Sequence, residues 1–265
     1  MMRPSVLVFA GSDPSGGAGI QADIGAIAAM DAHALPVITA LTVQDNDRVF
    51  AVHPVPPALI RQQAKALSDK ITIGAVKIGV VGNQANAEAI AIAIAVLRLR
   101  YPGLPVVLDP VLASGNGDAL SAEDAVLAMA PLMAIATLIT PNLVEAATLC
   151  HGNRRSDSQA EEFFKAGCQN VLVKGGHGTG DTIINRWFAR DSSRSWTWPR
   201  LPGTFHGSGC TLASAIAAQL ALGKPMADAL DLAQDYCQKA LASSYAIADG
   251  QRIPDRSVPI SRSPA

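Results

Sequence analysis

The sequence predicts an α/β fold of three layers, in which helices cover both faces of a mostly parallel sheet with an antiparallel hairpin at one edge. β-Branched runs such as SVLVFAG (5–11) and PVITALTVQ (36–44) alternate along the chain with alanine-rich helical patterns. Such alternation is typical of strand–helix–strand units. The chain has 265 residues, of which 49% are hydrophobic, so it can bury one large core. We therefore expect a single domain over residues 1–265, with a loosely held tail from about residue 251.

Strand and helix patterns follow one another in a regular order. After the two strands above, further strands are predicted at GAVKIGVV (74–81), PVVLDPVL (105–112), ATLITPN (136–142) and NVLVKGG (170–176). Helices are predicted to begin near Gly19, Pro57, Asn83, Ser121 and Leu143, and to span Ser208 to Leu222 and Met226 to about Ala246. In residues 181–201, two strand-like runs flank a polar turn, which predicts the edge hairpin.

Composition and charge exclude several classes of partner. The formal net charge is −1, so we expect no nucleic-acid partner and no membrane partner, because both need clustered basic residues. The apolar run AIAIAIAVL (89–97) is shorter than the roughly 20 residues of a membrane span. The first residues lack the pattern of a secretory signal. We therefore expect a cytoplasmic protein with reduced cysteines that acts on a small molecule.

Polar or glycine-rich residues follow every predicted strand. In open α/β sheets, ligands bind in the crevice outside the carboxyl ends of the strands. The strand ends therefore predict one site.

A glycine turn leads directly into the helix predicted from Ser208. Gly207, Ser208 and Gly209 let backbone N–H groups gather at a helix start, where unpaired donors and the helix dipole favour an anion. The same field favours a thiolate, so we expect Cys210 to have a lowered pKa and to accept a proton from a substrate hydroxyl. The alternative is a buried cysteine that merely begins a helix.

Charged residues end three other strand units. The carboxylates of Asp109 and Glu145 are suited to Mg²⁺, and Lys174 stands beside two glycines where phosphate oxygens could approach. Each residue alone has a simpler explanation, as a loop or helix cap or as a solvent-facing lysine. Together they indicate phosphoryl-transfer machinery, namely a metal, a cation, an anion-binding turn and a base.

The motifs that carry a family resemblance lie along nearly the whole chain. They are AGSDPSGGAGIQADI (10–24), ITALTVQ (38–44), VKIGVVG (76–82), VLDPVL (107–112), ITPNLVEA (139–146), VLVKGGH (171–177) and HGSGCTLASAIAAQLALG (206–223). In these motifs the chain resembles the hydroxymethylpyrimidine/phosphomethylpyrimidine kinases of thiamine biosynthesis, in the ribokinase superfamily. The resemblance implies a ribokinase-like fold, a homodimer, and ATP- and Mg²⁺-dependent phosphorylation of 4-amino-5-hydroxymethyl-2-methylpyrimidine and then of its monophosphate.

The resemblance also implies roles for individual residues. It implies Cys210 as the general base, with the N–H groups of residues 207–209 as the anion hole. It implies a glycine loop over the substrate, formed by Asp13 with Gly16, Gly17 and Gly19. The remaining implied roles are pyrimidine or substrate binding by Gly11, Ala18, Asp23, Gln44 and Val80, ATP binding by Asn142 and Lys174, and Mg²⁺ binding by Asp109 and Glu145.

Three alternatives stay open. Val80 stands where the family commonly has methionine, which makes a pyridoxal or pyridoxine kinase the nearest alternative. A non-catalytic pyrimidine-binding sensor would need Gln44 but not the phosphoryl-transfer set. The stretch GAGIQA (17–22) fits a dinucleotide-binding pattern. However, five residues separate it from the strand, which disfavours an oxidoreductase.

Overall fold

A sheet of nine strands forms the centre of the molecule. The computed structural model describes residues 2–113 and 125–259. The strands are β1 (Ser5–Ser12), β2 (His33–Gln44), β3 (Val49–Pro54), β4 (Ile73–Ile78), β5 (Val106–Leu108), β6 (Leu138–Ile139), β7 (Val171–Val173), β8 (Thr182–Ala189) and β9 (Ser192–Pro199). The six predicted strands and the hairpin are all present.

The helices lie between and after these strands. They are α1 (Gly19–Ala29), α2 (Pro57–Ser68), α3 (Gln84–Arg100), α4 (Ala125–Met133), α5 (Leu143–Leu149), α6 (Ser156–Lys165), α7 (Ser208–Ala221) and α8 (Met226–Ala242). The sequence patterns did not predict α6. The helix start expected near Ser121 lies outside the described residues. Within those residues, no helix combines the length and apolar character needed to cross a membrane.

The strand order is β3-β2-β1-β4-β5-β6-β7-β8-β9. Pairings from β2 to β7 are parallel, and β8 and β9 add the predicted antiparallel hairpin at one edge. The other edge, β3, is also antiparallel and was not predicted. Its signal is the turn at Asp45, whose carboxylate accepts from the N–H groups of Asp47 and Arg48, as Asp does in tight turns.

Successive side chains of β1 enter two separate cores. Leu7 and Phe9 pack with side chains of α2 and α3 on one face of the sheet. Val6 and Val8 pack with side chains of α1, α7 and α8 on the other face. Because side chains alternate along a strand, a strand buried on both faces is apolar throughout. The run SVLVFAG therefore reflects a central strand.

The C-terminal segment corrects one expectation. Residues 251–256 were predicted to begin a loosely held tail, but Gln251 and Ile253 are buried. The N–H of Ile253 donates to the carbonyl of Tyr245, and the N–H of Tyr245 donates to the carbonyl of Ile253. The segment has no periodic pattern because it packs as an extended strap, so its sequence resembles that of a loose tail.

Successive strands are added to one side of β1 as far as β3, and from β4 onward they are added to its other side. From β1 the chain runs to β2 on one side, and then returns to β4 on the other side of β1. Such a switch point leaves a crevice at the carboxyl ends of the two strands, where α/β proteins bind ligands. The fold therefore places a crevice beside the ends of β1, β2 and β4.

Candidate active site

The start of α7 presents backbone donors to this crevice. Gly207 caps the helix in the left-handed region, with φ of 76°. A Cβ atom added there would lie 2.0 Å from the carbonyl oxygen of Gly17. Among the described residues, the N–H groups of Ser208, Gly209 and Cys210 have no hydrogen-bond acceptor. The turn therefore presents free donors that suit an anion, and the predicted anion site stays a prediction.

Cys210 lies in the first turn of α7, and the residue as a whole is partly exposed. The predicted lowering of its pKa is wrong. Burial raises the pKa of the Cys210 thiol to about 11, although the charge of Lys77 opposes this change. The carboxylates of Asp23 and Asp109 raise the pKa further, because a negative neighbour disfavours the thiolate. The thiol is therefore protonated near neutral pH in the free protein.

Lys174 and Asp109 form an ion pair beside this turn. Nζ of Lys174 donates to Oδ1 of Asp109 at 2.8 Å, and the hydroxyl of Thr140 donates to the same oxygen at 3.2 Å. A Cβ atom added at Gly209 would lie 3.1 Å from Nζ of Lys174 and 3.5 Å from Oδ2 of Asp109. The pair therefore adjoins the free N–H groups.

Asn142 and Glu145 form a capping box at the start of α5. The Asn142 side chain accepts from the N–H of Glu145 at 2.9 Å, and Oε2 of Glu145 accepts from the N–H of Asn142 at 2.7 Å. Burial raises the pKa of Glu145 to about 7, with Lys174 opposing and Asp109 adding to the rise. An added cation would be favoured here, because it would neutralise a buried carboxylate beside a second one.

Asp23 has a different place from the one predicted. Its carboxylate is fully buried and accepts from Lys77 at 2.8 and 2.9 Å and from Ser214 at 2.7 Å. Ser214 follows Cys210 by one helical turn, so this cluster lies beneath the start of α7. The predicted direct contact with the pyrimidine is therefore corrected. Asp23 serves instead as the counter-charge that a buried lysine requires.

His206 joins the glycine loop to the end of β2. Its Nε2 lies 2.9 Å from Oδ2 of Asp13 and 3.3 Å from Nε2 of Gln44. Although burial opposes it, hydrogen bonds from His206, Ser15 and the N–H of Ala18 lower the pKa of Asp13. The ionised carboxylate accepts the hydrogen bond of the N–H group at Nε2. The Gln44 amide nitrogen then finds no acceptor on that ring nitrogen, so it can donate to a ligand.

The other residues expected around the substrate also lie at the switch point. A Cβ atom added at Gly11 would lie 3.6 Å from Cβ of Val80. Ala18 caps the start of α1, and Gln44 is the last residue of β2. The structure therefore brings Gly11, Ala18, Gln44 and Val80 to one end of the sheet.

Three residues of this region were not indicated by the sequence patterns. Lys77 has a usable signal, because a lysine inside an otherwise apolar strand needs a buried partner. His206 lies directly before the glycine turn, which is a weaker signal. Arg256 bonds the carbonyl of Gly17 and the hydroxyl of Thr211, but it stands in a segment with no pattern and carried no signal.

Known proteins are similar in sequence to this chain over most of its length. A model of the phosphomethylpyrimidine kinase family matches residues 13–255. The hydroxymethylpyrimidine/phosphomethylpyrimidine kinase of Rhizobium meliloti is 38% identical over 262 residues, which cover 94% of this chain and 95% of the relative. The thiamine biosynthesis multifunctional protein ThiED of Corynebacterium efficiens is 38% identical over 256 residues, which cover 94% of this chain and 34% of the relative. The chain thus spans about a third of that longer protein.

Solved structures agree with these matches. The phosphomethylpyrimidine kinase of Clostridium difficile is 32% identical, with a TM-score of 0.76 and coverage of 90% of this chain and 100% of that chain. Pyridoxal kinase of Bacillus subtilis, in an ADP complex, is 26% identical, with a TM-score of 0.86 and coverage of 97% and 98%. These likenesses confirm the ribokinase-like fold. Because the family model and relatives above 30% identity span most of its length, the chain belongs to the phosphomethylpyrimidine kinase family.

Proposed function

We propose that this protein transfers the γ-phosphoryl group of ATP to the hydroxymethyl group of 4-amino-5-hydroxymethyl-2-methylpyrimidine, and then phosphorylates the resulting monophosphate to the diphosphate. The names of its relatives support this choice. The observation that carries it is that, among the described residues, the N–H groups of Ser208, Gly209 and Cys210 have no acceptor, and that Gly209 adjoins the Lys174–Asp109 pair. A cation, an anion-binding turn and a candidate base therefore meet in one crevice.

Each of these groups has a role in the transfer. The substrate oxygen forms a bond to the γ-phosphorus while the bond from that phosphorus to the ADP oxygen breaks. The hydroxyl proton moves to Sγ of Cys210 in its thiolate form. The free N–H groups of Ser208, Gly209 and Cys210 stabilise the charge that spreads over the phosphoryl oxygens, and Lys174 adds a positive charge beside them.

Asp109 and Glu145 fit a magnesium site that is completed by the nucleotide. Among residues 2–113 and 125–259, no three side chains of His, Cys, Asp or Glu gather to hold a metal ion. Mg²⁺ commonly uses one or two carboxylates together with substrate phosphates. Lys174 and Thr140 both bind Oδ1 of Asp109, which leaves Oδ2 as the candidate ligand atom. The metal would supply charge neutralisation for the phosphates. Asn142 would contact the ATP phosphates from the start of α5.

Gln44 would recognise the pyrimidine. Its amide can donate to a ring nitrogen and accept from an exocyclic amine, which suits an aminopyrimidine. The amide nitrogen of Gln44 lies 3.3 Å from Nε2 of His206 and finds no acceptor there, so its N–H groups remain for a ligand. Gly11, Ala18 and Val80 would line the remainder of the substrate pocket.

A second candidate substrate is pyridoxal. The likeness to pyridoxal kinase of Bacillus subtilis, with a TM-score of 0.86, favours it, and Val80 leaves more room than methionine would. The family membership favours the pyrimidine as the main substrate. Pyridoxal phosphorylation would then be a slower side activity of the same site.

The deciding experiment compares these substrates directly. The purified protein is incubated with ATP and either the hydroxymethylpyrimidine or pyridoxal, with and without Mg²⁺, and the products are resolved by mass. We expect a monophosphate and then a diphosphate of the pyrimidine, only when Mg²⁺ is present. If pyridoxal is phosphorylated faster than the pyrimidine, pyridoxal is the main substrate and the pyrimidine the side substrate. Binding of the pyrimidine with no phosphorylated product would indicate a sensor.

The homodimer implied by the resemblance also belongs to this proposal. Three large apolar side chains at the β2–β3 edge are exposed, namely Leu41 at 54%, Val43 at 50% and Phe50 at 67%. Patches of this kind commonly mark protein interfaces. Light scattering coupled to size exclusion would test the proposal, and a monomeric mass would reject it.

A further inference from the structure

The C-terminal strap, residues 251–256, forms part of the wall around the candidate active site. The N–H of Arg252 donates to the carbonyl of Thr204, and the N–H of His206 donates to the carbonyl of Arg252, both at 2.9 Å. Ile253 is only 3% exposed. The strap is therefore paired with the loop that leads into α7.

Arg256 extends from this strap to the point where the glycine loop, residues 11–19, meets the first turn of α7. Its guanidinium donates to the carbonyl oxygen of Gly17 and, through Nε, to the hydroxyl of Thr211 at 3.0 Å. That hydroxyl donates in turn to the carbonyl of Gly207 at 2.8 Å. One side chain is thus bonded to both walls of the crevice.

The position of Arg256 is itself held from two sides. The phenol of Tyr236 on α8 donates to the carbonyl oxygen of Arg256 at 3.0 Å. The aliphatic part of the side chain lies against α1, where a Cβ atom added at Gly25 would be 3.1 Å from Cδ of Arg256. A planar guanidinium with several donors can hold two acceptors in fixed directions. Arg256 is therefore built as a rigid link.

The charge of Arg256 also acts at the candidate base. Arg256 interacts electrostatically with Cys210. The charged groups around that thiol come from five parts of the chain and are Asp23, Lys77, Asp109, Lys174 and Arg256. Removal of one of the cations would make the thiolate less favourable.

We propose that Arg256 is a positioning residue that ties the glycine loop to the first turn of α7, and so holds Cys210 and the anion-binding N–H groups in register with the substrate. The proposal rests on the kinase function for its activity readout. Misplacement of reacting groups by about 1 Å can cost about 10²-fold in rate. Loss of the link that Arg256 makes across the crevice should therefore lower kcat.

Substitution of Arg256 tests this role against a matched control. We expect Arg256→Ala to lower kcat by about tenfold to hundredfold, with little change in the KM for ATP. Arg256→Lys keeps the charge without the planar fork, so we expect an intermediate kcat. The control is Arg252→Ala, since the Arg252 side chain lies in the same strap but, within the described residues, donates hydrogen bonds only to Ser244. It should keep the original kcat.

Two further measurements separate positioning from folding. Guanidinium chloride at low millimolar concentration should restore part of the kcat of Arg256→Ala, because the ion can occupy the vacated site. Iodoacetamide should modify Cys210 more slowly in Arg256→Ala than in the unmodified protein at one pH. This alkylation readout needs no substrate.

Several results would overturn the proposal. These are an Arg256→Ala protein with the original kcat and alkylation rate, or an Arg252→Ala protein that loses as much kcat as Arg256→Ala. If Arg256→Ala does not fold, an Arg256→Lys protein with the original values of both quantities overturns it. If the unmodified protein phosphorylates no pyrimidine, the proposed function fails, and the alkylation rates still decide the role of Arg256.

Discussion

At the scale of single residues, the charges around Cys210 decide when its thiol can act as a base. Lys77, Lys174 and Arg256 favour the thiolate. Burial outweighs them and raises the pKa of the Cys210 thiol to about 11. Only the thiolate can accept a proton from the substrate. Below that pKa, the reactive form is therefore a minor fraction that grows with pH.

The pH dependence of turnover follows from this pKa. We expect kcat/KM to rise about tenfold per pH unit between about pH 7 and 9, because the thiolate fraction rises in that proportion below the pKa. A pH–rate profile of the free enzyme measures this slope. A plateau reached near pH 7 would contradict the raised pKa.

Removal of the thiol separates its chemistry from its packing. We expect Cys210→Ser to keep the fold and the KM for the pyrimidine while kcat falls by about 10²–10⁴-fold, as is typical when a general base is lost. Steady-state kinetics with saturating substrate measure the effect, and circular dichroism checks the fold. If Cys210→Ser keeps the original kcat, Cys210 is not the general base and only begins the helix.

At the scale of elements, the turn that begins α7 and the glycine loop approach each other closely through their backbones. Gly207 and Gly17 approach so closely that a Cβ atom on Gly207 would lie 2.0 Å from the carbonyl of Gly17. Close approach lets Arg256 bond both elements at once. The geometry of the anion site therefore depends on the absence of a side chain.

Gly207→Ala tests this contact. The left-handed φ of 76° costs a residue with Cβ about 1–2 kcal/mol, and the methyl group must also push the loop away. We expect a lower melting temperature and a fall in kcat of about 10²-fold. The control is Gly103→Ala, where an added Cβ meets no atom within 4 Å. Equal kcat in both variants would show that the crevice tolerates the displacement.

A buried ion pair joins α1, β4 and α7 beneath the same site. Lys77 and Asp23 are both fully buried, and Ser214 completes the hydrogen bonds of the carboxylate. Although burial opposes it, the charge of Asp23 raises the pKa of Lys77 above its usual value. Each charge is tolerated because the other is present.

Removal of one partner of this pair should therefore cost more than removal of both charges. We expect Lys77→Met to reduce the free energy of unfolding by about 3–5 kcal/mol, because it leaves Asp23 uncompensated. The double variant Lys77→Met/Asp23→Asn should recover part of that loss. Urea unfolding of the three proteins measures these differences. A double variant less stable than Lys77→Met would argue against an uncompensated charge as the cause.

At the scale of the whole molecule, the two ends of the described chain meet at the crevice. The glycine loop follows β1, the first strand, and the strap of residues 251–256 packs against it from the far end of the chain. Ile253 contributes to this closure, since its Cδ1 would lie 2.7 Å from a Cβ atom added at Gly17. The site is therefore lined by residues from near both ends of the described chain.

Ile253→Ala tests the contribution of the strap to global stability. Ile253 is 3% exposed, and truncation of a buried isoleucine to alanine typically costs about 2–5 kcal/mol. The control is Ile247→Ala, because Ile247 is 52% exposed and its truncation should change stability by no more than about 0.5 kcal/mol. Thermal unfolding measures both. If Ile253→Ala and Ile247→Ala have equal melting temperatures, the segment from residue 251 is loosely held after all.

Most of the strands and helices were predictable, because each has a characteristic pattern of residue types along the chain. Alternation of β-branched and alanine-rich runs identified the parallel strands and most of the helices, and the polar turn at residues 190–191 identified the hairpin of β8 and β9. The short edge strand β3 and helix α6 were not predicted. The strap escaped prediction because an extended segment held by single contacts has no period to detect.

The sequence by itself determined the order of strands and helices, the glycine turn before α7, and the residue types at each strand end, since these follow from propensity and spacing along the chain. Only the tertiary structure decided that Asp23 pairs with Lys77, that burial raises the pKa of Cys210, and that Arg256 joins two walls of the crevice. The physical reason is that pairing and desolvation depend on distances between residues far apart in the chain. No local pattern encodes such distances.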